Sequence, residues 1–234
     1  ARFLRAHFYF ELKKMFDKVP WIDETTDNVY QPNTTDIWPN IEADFQFAYE
    51  NLPATQPEVG RVNKWAAGAY LGKALLYQKK YPEARTIFTE VINSGVTTNG
   101  LKYDLVRFEN NFDAATKNNA ESVFAIQMVA NDGTNSITFA NSGGKLNFPY
   151  ESPFRCCGFY QPTQDLVNSY RTDPQTGLPY LTNYNSTPVK SDMGITSTAP
   201  FTPDETTLDP RLDWTVGRRG IPFHDWGPHP GRRW

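Results

Sequence analysis

At 234 residues the chain has room for one large domain or two small ones. Its hydrophobic content of 39% and charged content of 21% are ordinary for a globular protein. A net charge of −3 lacks the basic excess that a nucleic-acid partner requires, and no run of about twenty apolar residues reads as a membrane-spanning helix.

The first segment, ARFLRAHFYFELKKMF, reads as a helix over residues 1–16. Leu4, Phe8, Leu12 and Met15 form one apolar stripe, and Phe3, His7 and Phe10 a second. Two stripes predict a helix packed on two sides, with Arg2, Arg5, Tyr9 and Lys13 on the wetter side. His7 falls within the aromatic face and reads as a satisfied core histidine. Val19-Pro20 ends this region, because the residue before proline is pushed out of the α region. After a loop over 21–35, a second helix follows, capped by Thr35 or Asp36, with Pro39 tolerated in its first turn. Ile37, Ile41, Phe45, Ala48 and Leu52 carry its apolar stripe, and Leu52-Pro53 stops it.

Residues 60–95 are the most informative part of the chain. Gly68, Leu71, Gly72 and Leu75 recur at offsets of three and four, which places them on one side of a helix. Tyr81-Pro82 interrupts, and Ala84, Phe88 and Val91 form the matching face of a second helix. The A-x-x-x-F step belongs to the tetratricopeptide signature. Small residues let the two backbones approach, and Gly95 is placed as the C-terminal cap. Trp65, Tyr77 and Tyr81 read as packing residues of this hairpin. Such a hairpin cannot bury its apolar face alone, so it predicts neighbouring helices.

Beyond residue 95, Gly, Asn, Thr and Pro become frequent and helical periodicity fades. SVFAIQMV at 122–129 reads as a short buried strand. A short helix starts after Thr163, its cap, and runs to Tyr170. Residues 172–210 give no assignable element, and a segment of that length is either functional or mobile. Asp209-Pro210-Arg211 reads as a turn before a strand over 212–216. The tail is a Gly/Pro-rich aromatic loop. The expected fold class is therefore mainly α: a tetratricopeptide-like scaffold over 1–95, and a long irregular part over 96–234 with a few short strands. The chain opens inside an apparent helix without an initiating Met and ends at Gly-Arg-Arg-Trp, so it reads as a piece of a longer protein, truncated at both ends.

The order of these segments resembles the SusD/RagB family. ARFLRAHFYFELKKMFDKVPWI is similar to that family's helix and Val-Pro turn, and IEADFQFAYENLP to its second helix. GRVNKWAAGAYLGKALLYQKKYPEA resembles its tetratricopeptide-like hairpin, and ESVFAIQ, QPTQDLVNSYRTD and LDPRLDWTV its later segments. The resemblance implies a surface lipoprotein of the outer membrane in Bacteroidetes-type bacteria. Such a protein binds glycans or other nutrients, has no catalytic activity, and caps a SusC-type TonB-dependent transporter. It implies ligand sites in the irregular part and a lipid anchor outside this chain.

A glycan site needs flat apolar faces for sugar C–H groups, rimmed by polar groups for hydroxyls. Tyr150, Phe154 and Tyr160 supply such rings within NFPYESPFRCCGFY, alongside Phe148 and Phe159, and Asn147, Glu151 and Arg155 supply polar groups. The alternative is that these rings pack onto the helices. Trp226, with Phe223 and Trp234, is a second aromatic group. Cys156 and Cys157 are adjacent, about 3.8 Å apart at Cα, below the usual disulfide range, and read as two thiols. Neither they nor His224, Asp225 and His229 form a recognisable metal motif, so no metal or cofactor is expected. Two other readings stay open: a glycoside hydrolase, which requires two carboxylates converging on a cleft, and a tetratricopeptide adaptor that binds peptides.

Overall fold

The computed structural model describes residues 1–127, 151, 161–223 and 226–231. They belong to two compact units, Ala1–Gln127 and Met128–Trp234. The architecture is mainly α, as expected. Among the described residues β pairing is confined to isolated bridges.

The first unit is built on four helices: α1 (Arg2–Phe16), α2 (Trp38–Asn51), α3 (Lys64–Tyr77) and α4 (Tyr81–Ser94). Each packs on the next in chain order. The core consists of Phe3, Ala6 and Phe10 from α1, Ile41, Phe45 and Ala48 from α2, and Ala67, Leu71, Ala74 and Leu75 from α3, with Ala84 from α4. Phe3 meets Phe45 at 5.5 Å and Tyr70 at 5.1 Å, both edge to face, an arrangement that adds to area burial.

The hairpin of α3 and α4 forms as its spacing dictates. The glycines do what small residues at those positions should. A Cβ on Gly72 would lie 2.8 Å from the Phe88 ring, and one on Gly68 would lie 2.8 Å from the Tyr49 ring. The predicted Gly95 cap is present, but its backbone is extended (φ −69°, ψ 149°) rather than left-handed. Space is what requires glycine there. A Cβ would sit 2.2 Å from the Val91 carbonyl oxygen and 2.6 Å from the Tyr103 ring. A backbone carbonyl cannot step aside, so Gly95→Ala is expected to lower stability by about 2–3 kcal/mol, the upper range for overpacking. Urea denaturation checks this; a loss below 0.5 kcal/mol, the scale of a surface change, would contradict the clash.

Helix α1 departs from expectation. It buries Phe3, Ala6, Phe10 and Lys13, whereas Phe8 and Met15 of the other apolar stripe are 63% and 75% exposed. Lys13, read as wet, is buried because Asp17 and Asp36 take its ammonium at 2.6 Å and 3.0 Å. His7 does lie against Phe3 and Tyr70, but its buried Nδ1 has no hydrogen-bond partner, so it is not a satisfied histidine. The N-cap of α2 is Ile37 rather than Thr35 or Asp36, although Asp36 accepts the Trp38 amide at 3.2 Å from one residue further back. Tyr81 is largely exposed and does not act as packing.

The strand read at 122–129 is absent over 122–127. Phe124 serves as a plug instead, its ring 5.3 Å from Phe3 and 6.3 Å from Tyr70. An apolar run with one anchoring ring has no need of a ladder.

In the second unit, α5 (Gln164–Asn168) starts where predicted, with the Thr163 hydroxyl accepting the Leu166 amide at 3.1 Å. The strand expected at 212–216 is instead a short helix, α6 (Leu212–Thr215). Asp209 bends the chain by accepting the Arg211 amide at 3.0 Å, and the turn winds on into helix. The unassigned stretch 172–210 is ordered by aspartates that satisfy turn amides. Asp173 accepts Gln175 and Thr176, and Asp204 accepts Thr206 and Lys190. Val189 and Leu212 are buried within this unit. Buried Asn168 accepts the Val189 amide at 2.8 Å and donates to Asn185 at 2.9 Å.

Candidate functional site

Among the described residues of the second unit, apolar and charged side chains converge on a tight hairpin over residues 217–231. The Gly220 amide donates to the His229 carbonyl, and the His229 amide donates to that of Ile221, both at 2.9 Å. At the tip the Phe223 amide donates to the Gly227 carbonyl at 2.9 Å. Gly220 and Gly227 take φ of 84° and 86°, the left-handed region that favours glycine. Trp226 occupies the turn itself and is 44% exposed. Behind it the Phe223 ring meets His229 edge to face at 5.5 Å. His229 covers Gly217, where a Cβ would lie 2.7 Å from the imidazole. Its Nδ1 accepts the Gly231 amide at 2.9 Å. Burial holds the His229 pKa below its ordinary value, with Asp192 pulling weakly the other way.

The first arm of the hairpin lines a pocket of about 210 Å³. Its charged and aromatic lining is Lys190, Asp192, Phe201, Arg218 and Arg219. The Phe201 ring lies between two cations: Lys190 Nζ is 5.3 Å and Arg219 Cζ 5.6 Å from its centroid. Arg219 is fixed by donating to the carbonyls of Thr196 at 3.1 Å, Ser197 at 2.9 Å and Ala199 at 2.6 Å. Arg218 pairs with Asp213 through two hydrogen bonds, at 2.6 Å and 3.0 Å.

Of the site residues read from sequence, Trp226 is the one the structure describes. Asn147, Tyr150, Phe154, Arg155 and Tyr160 lie outside the described residues, as do Cys156, Cys157, His224, Asp225 and Trp234. Sequence reasoning missed Lys190, Phe201 and Arg219. They come from a stretch without periodicity, and the visible signal was the Arg218-Arg219 pair next to Gly220.

The first unit carries a groove of about 580 Å³ between α2, α3 and α4. Its floor is Leu71, Leu75 and Ile87, and Glu42 and Glu83 stand among the lining. Among the described residues no group of His, Cys, Asp and Glu is placed to hold a metal ion. No helix among them is long and apolar enough to cross a membrane.

Residues 120–229 match the model of the SusD family, a span that includes the pocket and most of the hairpin. SusD-like protein P2 of Formosa agariphila is 32% identical over 123 residues, covering 49% of this chain and 23% of that protein. The crystal structure of a SusD-like protein from Bacteroides fragilis is 28% identical with a TM-score of 0.56, covering 73% of this chain and 34% of that one. A structure described as a laminarin-binding SusD-like protein is 30% identical, covering 53% of this chain and 28% of that one, with a TM-score of 0.45. The chain is similar to proteins of the SusD/RagB family, on which the family model, the curated relative and the Bacteroides fragilis structure agree. It spans about a quarter of the length of the curated relative it matches.

Proposed function

We propose that this chain is part of a non-catalytic glycan-binding protein of the cell surface, which delivers its ligand to a SusC-type TonB-dependent transporter in the outer membrane. Attachment to the membrane is through a lipid anchor. The observation that carries the reading is the coincidence of the SusD family match with the segment holding the pocket and the hairpin. Trp226 presents a partly exposed ring on a backbone braced by cross-chain hydrogen bonds. A rigid ring of that kind offers a sugar's C–H face a surface at low entropic cost. Tyr150, Phe154 and Tyr160 extend the stacking area, and Asn147 and Arg155 supply hydroxyl contacts.

The test is affinity electrophoresis of the complete protein against soluble polysaccharides, laminarin among them. For a polysaccharide that is retained, Trp226→Ala is expected to weaken binding about tenfold, the scale of one lost stacked ring. Unchanged retention would remove Trp226 from the site. Reducing-sugar release by the purified protein would overturn the non-catalytic reading and favour a hydrolase. Delivery is tested separately, by co-purification of a SusC-type transporter with the tagged protein from detergent-solubilised membranes.

A further inference from the structure

We infer that the pocket at the base of the 217–231 hairpin, where Lys190 and Arg219 flank the Phe201 ring, receives the anionic substituent of an acidic glycan: a uronate carboxylate or a sulfate ester. This deepens the glycan-binding reading and rests on it.

The chain as a whole is net negative, at −3. The pocket is the reverse. Three cations line it, Lys190, Arg218 and Arg219, against one carboxylate, Asp192. The charge of Arg218 is answered by its two hydrogen bonds to Asp213. The other two cations are not neutralised in this way. The Arg219 guanidinium bonds to three backbone carbonyls, which are neutral acceptors, and Lys190 Nζ rests over an aromatic face. Asp204 is held at the back by the amides of Lys190 and Thr206 and does not line the pocket. His229 is kept neutral at pH 7 by burial and adds no charge. Lys190 and Arg219 against Asp192 leave an excess of one positive charge at the pocket.

Geometry makes that charge usable. The three carbonyls hold the Arg219 side chain in one position before any ligand arrives. They commit three of its five N–H donors and leave two. Lys190 is exposed and swings on a flexible stem, so it suits a point charge of either geometry. Phe201 and Met193 supply apolar wall to the same cavity. A volume of about 210 Å³ takes a carboxylate or sulfate with part of the ring that bears it.

The experiment compares matched polymers that differ in charge, using the complete protein in affinity electrophoresis and calorimetry. Polygalacturonate is set against its methyl ester, and dextran sulfate against dextran. The expected result is about tenfold tighter binding of a charged member than of its neutral partner, the scale of one charge-assisted contact. The preference shrinks as sodium chloride is raised across the range where screening sets in. A preference within the galacturonan pair assigns the pocket to carboxylate, and one within the dextran pair assigns it to sulfate. Lys190→Gln, a surface change that leaves the Arg219 clamp intact, is expected to abolish most of the preference while binding of the neutral polymer stays the same. Equal binding within both pairs overturns the acidic-glycan inference and leaves the glycan-binding reading standing. A preference that survives Lys190→Gln in full overturns the assignment to this pocket. Failure of all four polymers to bind overturns the acidic-glycan inference, and the glycan-binding reading falls with it only when laminarin and the other neutral polysaccharides are not retained either.

Discussion

Asn63→Ala is expected to destabilise the first unit by about 3 kcal/mol, as the sum of a lost helix cap and two lost hydrogen bonds to carbonyls. Asn63 is completely buried. Its Oδ1 accepts the Ala66 amide at 2.8 Å and so caps α3. Its Nδ2 donates both protons, to the Ala54 carbonyl at 2.8 Å and to the Val96 carbonyl at 2.9 Å. One side chain thus joins the turn after α2, the start of α3 and the segment after α4. Alanine removes the side-chain partner of three backbone groups. The cap alone is worth about 1 kcal/mol, and each of the two hydrogen bonds to part-buried carbonyls adds about 0.5–1.5 kcal/mol. Asn63→Ser keeps a capping oxygen but is too short to reach either carbonyl, so it should recover about 1 kcal/mol of the loss. Denaturant midpoints of the parent and both variants measure this directly. A loss under 1 kcal/mol for Asn63→Ala would show that the three segments hold together without this amide.

That residue marks the limit of what the sequence revealed. Helices α2, α3 and α4 were legible because their buried positions repeat with the helical period: Ile41, Phe45 and Ala48 in α2, and Gly68, Leu71, Gly72 and Leu75 in α3 are all buried. Periodicity reports which side of a helix is apolar. It does not report how many sides find partners, which is why both stripes of α1 looked alike although Phe3 is buried and Phe8 exposed. It is also blind to polar residues that join segments far apart in sequence. Asn63 reaches 33 residues to Val96, and Lys13 reaches across a loop to Asp36. The same blindness hid the pocket. Lys190, Phe201 and Arg219 meet through carbonyl contacts of the loop at 196–199, and no local pattern encodes those. The strand reading of 212–216 failed for another reason. Five residues of mixed apolar character fit either period, and the Asp209 turn decides the outcome. Trp226 was found because aromatic residues in a Gly/Pro-rich segment lack a helical face to bury them. The other aromatic candidates, in the loop around Tyr150, lie outside the described residues.

Asp44→Ala is expected to cost about 3–5 kcal/mol, the range for breaking a buried ion pair on one side. Asp44 lies on the buried face of α2, next to Phe45, with its side chain only 5% exposed. It holds the Arg5 guanidinium in a fork, accepting Nε at 2.6 Å and the second terminal nitrogen at 2.8 Å. Hydrogen bonding to Asp44 raises the Arg5 pKa against the opposing effect of burial. Arg5 in turn lies over the Trp21 ring at 5.1 Å and pairs with Glu24. Trp21 stacks at 4.4 Å on Tyr9, whose hydroxyl accepts the Ile22 amide at 2.8 Å. The loop after α1 is therefore tied to α2 through a single carboxylate. Removing it leaves a cation in the helix interface with only a more exposed partner, Glu24. Arg5→Met should cost at least as much, because it strands the Asp44 carboxylate, 5% exposed, with Arg2 at 3.9 Å as its nearest cation, whereas Asp44→Ala leaves Arg5 its Glu24 partner. The double variant Arg5→Met with Asp44→Leu should regain most of the stability, since replacing both members of a buried pair with apolar groups of similar size is often close to neutral. A double-mutant cycle by urea denaturation gives the coupling directly. Additive losses would mean that Arg5 and Asp44 act independently, and the tie between loop and helix would then have to come from Tyr9 and Trp21 alone.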